Sequence, residues 1–265
     1  MTQSCVPDVH CHLDALEDAE QAVEEALEAG VRPICAVGTE QVSSERALEL
    51  RQKYPGDVLA AVGLHPSEIA NVEDSELRAE LEFVERALET ADALGEVGLD
   101  YRDASDEAQR ARQREALDRQ LRWAECWRKP VNMHCRRAEH DVLDVAAEFA
   151  QRTGLGVNLH WFTHSEKLAR RCAESGVYIS PGPSILHSEP QAKVAGFIAT
   201  QLLLLETDSP TPYGGERARP AWARRVAERL AEIRGQSLEG LADILQDNFR
   251  RYLGRTSPPG APAGA

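Results

Sequence analysis

The stretch Val6-Pro7-Asp8-Val9-His10-Cys11-His12-Leu13 decides how the rest of the chain is read. Val6, Val9 and Leu13 mark a short apolar strand. Strand side chains alternate between faces, so His10 and His12 point the same way. Two neutral imidazoles placed like this can grip one cation. Cys11 lies between them on the opposite face, where packing is its expected role, and Cys135 beside His134 is read in the same way.

Outward from this strand the chain repeats one rhythm, a short apolar run followed by a longer charge-rich amphipathic stretch. The pattern predicts strands near 6–13, 32–38, 58–64, 94–99, 131–135, 157–162, 177–180 and 202–208. Gly30, Gly154 and Gly176 fall where helix-ending glycines belong, and Ser43, Ser75, Ser165 and Ser237 where helix N-caps belong. Helical faces show in Leu117, Leu121 and Ala124, and again in Val142, Val145, Ala146 and Phe149. Eight strands alternating with helices predict an α/β fold, a (β/α)8 TIM barrel. The seventh unit is the weakest, because Pro181-Gly182-Pro183 interrupts it. A doubly wound sheet is the alternative, but no glycine-rich phosphate loop supports it. Two helices, near 220–234 and 237–253, follow the last strand. Residues 1–255 are expected to form one domain, and the Pro-, Gly- and Ala-rich tail 256–265 to be disordered.

Composition narrows the function. The formal charge of −14 argues against nucleic-acid binding by a broad basic face, while leaving room for a local metal-based site. The acidic runs 17–28 and 73–89 read as solvated helix faces. No apolar run approaches the roughly 20 residues needed to span a bilayer. The N-terminus lacks the features of a signal peptide, and six scattered cysteines read as reduced thiols, so a cytoplasmic, monomeric protein with no membrane partner is expected.

Barrel active sites sit at the C-terminal ends of the strands. His10, His12, His134, His160 and Asp208 fall at or late in predicted strands; Glu96 lies earlier, between Gly95 and Gly98, where a bulge or close backbone approach is expected. Four imidazoles and two carboxylates can hold two divalent ions, one carboxylate bridging them. Such ions lower the pKa of a water and offset charge on a scissile ester. The donor set suits magnesium, manganese or zinc. A single buried histidine is more often a core residue, and His140, His164 and His187 are left at that reading. Glu206 is open between a salt-bridging role and metal or substrate binding.

The motifs Asp8-Val-His-Cys-His-Leu13, Val62-Gly-Leu-His-Pro66, Gly95-Glu-Val-Gly-Leu-Asp-Tyr101, His134-Cys-Arg136, His160-Trp-Phe-Thr163 and Glu206-Thr-Asp-Ser-Pro210 resemble those of the TatD family of metal-dependent hydrolases. Gln113 and Asn248 also fall where the family pattern has them. The resemblance runs from about Val6 to Leu253. It implies metal ligation by His10, His12, Glu96, His134, His160 and Asp208, with Glu96 bridging two ions, Mg2+ or Mn2+ before Zn2+. It also implies a deoxyribonuclease, often of the 3′-to-5′ exonuclease type, acting on DNA. Some relatives remove D-amino acids from tRNA, so a deacylase acting on tRNA or another ester is the alternative, and a barrel that only binds metal is a third reading.

On this reading Asp208 is both ligand and general base, Glu96 is catalytic through the shared water, and His65, Arg136 and Glu206 contact substrate. At the expected substrate mouth the chain departs from the family at Trp161 and His164, where smaller residues are usual, and at Arg217-Ala-Arg-Pro220, where Arg-Asn-Glu-Pro is common; Trp161, His164 and Arg219 are expected to bear on substrate choice. Trp161 motivates the deacylase alternative, since an indole can stack on a base or an aromatic acyl group.

Overall fold

The computed structural model describes residues 4–70 and 72–255; the tail expected to be disordered lies outside them. Seven parallel strands run in sequence order: β1 (Val6–Cys11), β2 (Val31–Val37), β3 (Val58–Val62), β4 (Ala93–Asp100), β5 (Val131–Arg136), β6 (Val157–Leu159) and β7 (Tyr178–Ile179). Between and after them lie α1 (Ala19–Glu28), α2 (Gln41–Lys53), α3 (Pro66–Ile69), α4 (Asp74–Ala87), α5 (Glu107–Cys126), α6 (Glu139–Thr153), α7 (Glu166–Ser175), α8 (Glu189–Phe197), α9 (Trp222–Arg234) and α10 (Leu238–Tyr252). A two-stranded hairpin, β8 (Pro212–Tyr213) and β9 (Glu216–Arg217), precedes α9.

The eighth predicted strand is an extended segment rather than a full ladder strand. Residues 203–208 nevertheless close the ring. Leu204 N–H donates to Ile179 O (2.9 Å) on one side; on the other, Val9 N–H donates to Leu205 O (3.0 Å) and Asp208 N–H to His10 O (2.9 Å). The ladder thins here because Pro181 and Pro183 have no N–H to give. The fold is the expected TIM barrel; the seventh unit is thin as predicted, β7 having two residues, and the eighth, expected as a full strand, is thinner still.

Strand alternation separates two cores. On β2 and β3, Ile34, Ala36, Val58, Ala60 and Val62 pack outward against the helix layer. Cys35, Val37, Leu59 and Ala61 face the lumen, where Phe249 and Tyr252 of α10 join them. The lumen is thus plugged with apolar side chains at one end. Asn248 of α10 donates to Thr200 O (2.7 Å) and Leu203 O (2.6 Å), fixing the closing segment to the same helix.

Some expected helix caps shift. Ser165 and Ser237 cap α7 and α10, and Gly154 and Gly176 end α6 and α7 in the left-handed conformation. Ser43 is not the N-cap of α2: Glu40 accepts from the backbone of Val42 and Ser43, and Ser43 returns the bond in a capping box. Ser75 lies inside α4, whose N-cap is Glu73. Among the described residues the cysteines form no disulfide, and no helix is long and apolar enough to cross a membrane.

Candidate metal centre

β1 carries His10 and His12 to the barrel mouth opposite α10. Their Nε2 atoms lie 3.2 Å apart. Each also faces Glu96 Oε2, at 3.5 and 3.4 Å, and Asp208 Oδ1, at 3.6 and 3.3 Å. Ligands bound at about 2.0–2.2 Å to one ion lie about 3–3.5 Å from each other. These four atoms therefore fit a divalent cation. The His12 tautomer fits as well: Nδ1–H donates to Val37 O (3.0 Å), so in the neutral ring Nε2 presents its lone pair to the site.

Glu96 turns its other oxygen to a second pair of rings. Oε1 lies 2.6 Å from His134 Nδ1 and 2.7 Å from His160 Nε2, and those two nitrogens are 3.4 Å apart. These are hydrogen-bond lengths, so this half of the cluster holds protons that a second ion would displace. Glu96 is almost fully buried. Burial alone would raise its pKa, but His160, His65, His10 and His134 together hold it well below the usual carboxylate range. His12 answers in the opposite sense: burial lowers its pKa, and the Asp208 hydrogen bond with the charges of Glu96 and Asp208 lifts it to about 9.

Two glycines place Glu96 and His134. β4 loses register with β5 between Leu94 and Val97, at Gly95 and Glu96. Gly95 has φ 147° and Gly98 φ 153°. A Cβ on Gly98 would sit 2.1 Å from His134 O, and one on Gly95 2.8 Å from Asn132. The expected bulge and close approach are both present, and only glycine permits them.

His65, the N-cap of α3, has Nε2 3.3 Å from Glu96 Oε1. Its Nδ1 accepts from Ser67 N (3.1 Å), so the neutral ring carries its proton on Nε2 and presents a donor rather than a lone pair. Burial lowers its pKa, the carboxylate of Glu96 opposing, which favours that neutral ring. The arrangement suits holding a substrate oxygen better than holding an ion.

Asp208 ends the closing segment with φ 49°, and Thr211 Oγ1 donates to its Oδ2 (3.0 Å). Arg136 is half exposed, its Nη1 3.9 Å from Asp100 Oδ2. Glu206 is displaced from its expected substrate contact. It is completely buried, its Oε1 accepts from Trp161 N (2.5 Å), its Oε2 accepts from Ser180 Oγ, and it faces His160 Nδ1 at 3.6 Å. It stands behind His160 at ion-pair distance, and His160 Nδ1 has no hydrogen-bond partner among the described residues. Arg219 is likewise turned away, forked onto Asp18 (3.2 and 3.0 Å) and bonded to Glu25 (2.7 Å) of α1.

Sequence reasoning gave no role to Asp100, although it lies in the Gly95–Tyr101 motif. Its Oδ2 is 3.1 Å from His134 Nε2, and its Oδ1 accepts from Arg102 N and Asp103 N. A polar chain beneath the cluster was also missed: Asn132 donates to Val9 O, Asn158 to Asn132 and to Ser180, and Ser180 to Glu206. Isolated Asn and Ser in apolar strands were the available signal.

A parallel barrel with an imidazole and carboxylate cluster at the C-terminal ends of its strands defines a metal-dependent hydrolase. The chain belongs to the TatD related DNase family, whose model matches residues 7–254. It is 31% identical over 255 residues to the metal-dependent hydrolase YabD of Bacillus subtilis, covering 93% of this chain and 98% of that protein. It is 31% identical over 254 residues to the deoxyribonuclease TATDN3 of Homo sapiens, covering 91% and 92%. The crystal structure of the TatD homologue YjjV from Escherichia coli K12 superposes with a TM-score of 0.82 at 31% identity, covering 94% of this chain and 98% of that one.

Proposed function

We propose that this hydrolase is a deoxyribonuclease that cleaves DNA phosphodiester bonds from the 3′ end with two divalent ions, Mg2+ or Mn2+. The observation that carries the reading is Glu96, whose two oxygens serve two separate sets of imidazoles. His10, His12 and Asp208 would hold one ion, and His134 and His160 the other. When bound, such ions acidify a water and offset negative charge on a phosphodiester.

The chain's own groups would do the rest. Asp208 is held ionised: burial opposes this, but His12, His10 and His160 lower its pKa, leaving a carboxylate able to take a proton from the attacking water. His65 donates from Nε2 to one phosphate oxygen, and Arg136 offers a guanidinium to another. A cavity of about 270 Å3, bordered by His12, His65, Glu96 and Asp208, leaves room for the reacting group.

The test is hydrolysis of 3′- and 5′-labelled single-stranded DNA with Mg2+ or Mn2+, in parallel with D-aminoacyl-tRNA, using His134→Ala as control. Metal-dependent release of 3′ nucleotides, lost in the control, is expected. Faster turnover of the tRNA ester by orders of magnitude would replace this reading with the deacylase.

A further inference from the structure

A second cavity, of about 510 Å3, opens beside the metal centre and shares His134, His160 and Trp161 with the smaller one. That volume lies within the range of about 300–1,000 Å3 usual for ligand sites. Its wall also holds Arg136, Arg137, His164 and Gln191.

Three observations say what it takes. First, the Arg137 guanidinium is exposed and has no hydrogen-bond or ion-pair partner among the described residues. Glu139, the carboxylate on the same wall, lies 3.5 Å from His164 Nδ1 and is directed there. Second, the Trp161 indole is 37% exposed. Its backbone is pinned by Glu206, and its ring leans on Tyr213 of β8, centroids 6.0 Å apart. It is a fixed aromatic face open to the cavity. Third, four described non-glycine residues have left-handed backbone: Arg128, Arg137, Trp161 and Asp208 (φ 51°, 56°, 43° and 49°). All but Arg128 border one or both of these cavities. Such backbone is costly and collects at ligand sites.

We propose that this cavity seats the nucleotide next to the scissile bond, the Arg137 guanidinium holding that nucleotide's own phosphate and the Trp161 indole carrying its base. The inference rests on the nuclease reading and adds Arg137 as a second phosphate contact beside Arg136, which borders the same cavity. A planar guanidinium matches phosphate geometry, and an aromatic face accepts any base. Arg137 is thereby a specificity-determining residue.

The experiment compares kcat/KM on the dinucleotides d(TpT), d(pTpT) and d(TpTp) with Mn2+. One of the two terminally phosphorylated dinucleotides is expected to be cleaved at least tenfold better than d(TpT). Arg137→Ala reduces that ratio to threefold or less, and Arg137→Lys retains part of it. Arg86→Ala, on α4 away from both cavities, keeps the full ratio. Equal cleavage of all three substrates, or an unchanged ratio in Arg137→Ala, overturns the subsite while leaving the nuclease reading intact. Absence of metal-dependent cleavage of these and of longer single strands overturns both.

Discussion

Glu206 Oε1 lies 3.6 Å behind His160 Nδ1, and the opposite nitrogen of that ring meets Glu96 at 2.7 Å. A buried carboxylate thus backs a candidate ligand from the far side through charge, short of a hydrogen bond. Outer partners of this kind typically contribute 10–100-fold to metal affinity. Glu206→Ala is expected to weaken binding of the second ion by about that factor, as read by titration calorimetry. It also strands Trp161 N–H, at a cost of about 1–3 kcal/mol, while the Ser180 hydroxyl keeps Asn158 as a partner (3.2 Å). Unchanged affinity in a folded variant would show that Glu206 serves packing alone.

Asp100 stands behind His134 as Glu206 stands behind His160, but at hydrogen-bond distance (3.1 Å). Asp100→Ala frees His134 Nε2 and is expected to lower kcat and second-ion affinity together, about 10–100-fold. Asp100→Asn, which keeps an acceptor oxygen, recovers part of the loss. The comparison of the two variants by metal titration is the check, since a purely structural defect would not be rescued in this order.

Gly98→Ala places a Cβ 2.1 Å from His134 O in a backbone conformation that L side chains rarely adopt. The strand cannot retreat without moving His134. A destabilisation of about 3 kcal/mol or more is expected, measured by urea unfolding, with metal affinity lost in whatever fraction folds.

Removing metal should reveal a pH dependence with a definite sign. His12 is raised from 6.5 to about 9 in the folded chain by its two carboxylate neighbours against the effect of burial. The stability it contributes is complete below pH 6.5 and is lost as pH rises through about 9. The chelated protein should therefore melt at progressively lower temperature across that window. Added Mn2+ competes with the same protons, so the increase in Tm it produces should grow with pH. Calorimetric scans with and without chelator decide the matter.

Arg219 ties the segment before α9 to α1 through Asp18 and Glu25, all partly exposed. Arg219→Ala is expected to lower Tm slightly, less so at high salt, and to leave kcat unchanged. A large loss of activity would return this residue to the substrate mouth.

The clustering of the candidate ligands was legible because strand alternation and the barrel rule act on any sequence. His10 and His12 had to share a face, and the glycines around Glu96 announced a bulge. What the sequence hid was direction. Glu206 and Asp208 are both at the end of the closing segment, and nothing in their spacing says that one faces His10 and His12 and the other stands behind His160. Arg219 looked like a mouth residue until the fold placed α1 beside it. Ser43 and Ser75 failed as caps because neighbouring Glu40 and Glu73 took the extended backbone of that position first.

Phe249 and Tyr252 fill the lumen from below. The chamber therefore has one door. On the nuclease reading proposed above, a strand would have to present its end or lie across this opening, and each product would leave by the path the next substrate takes.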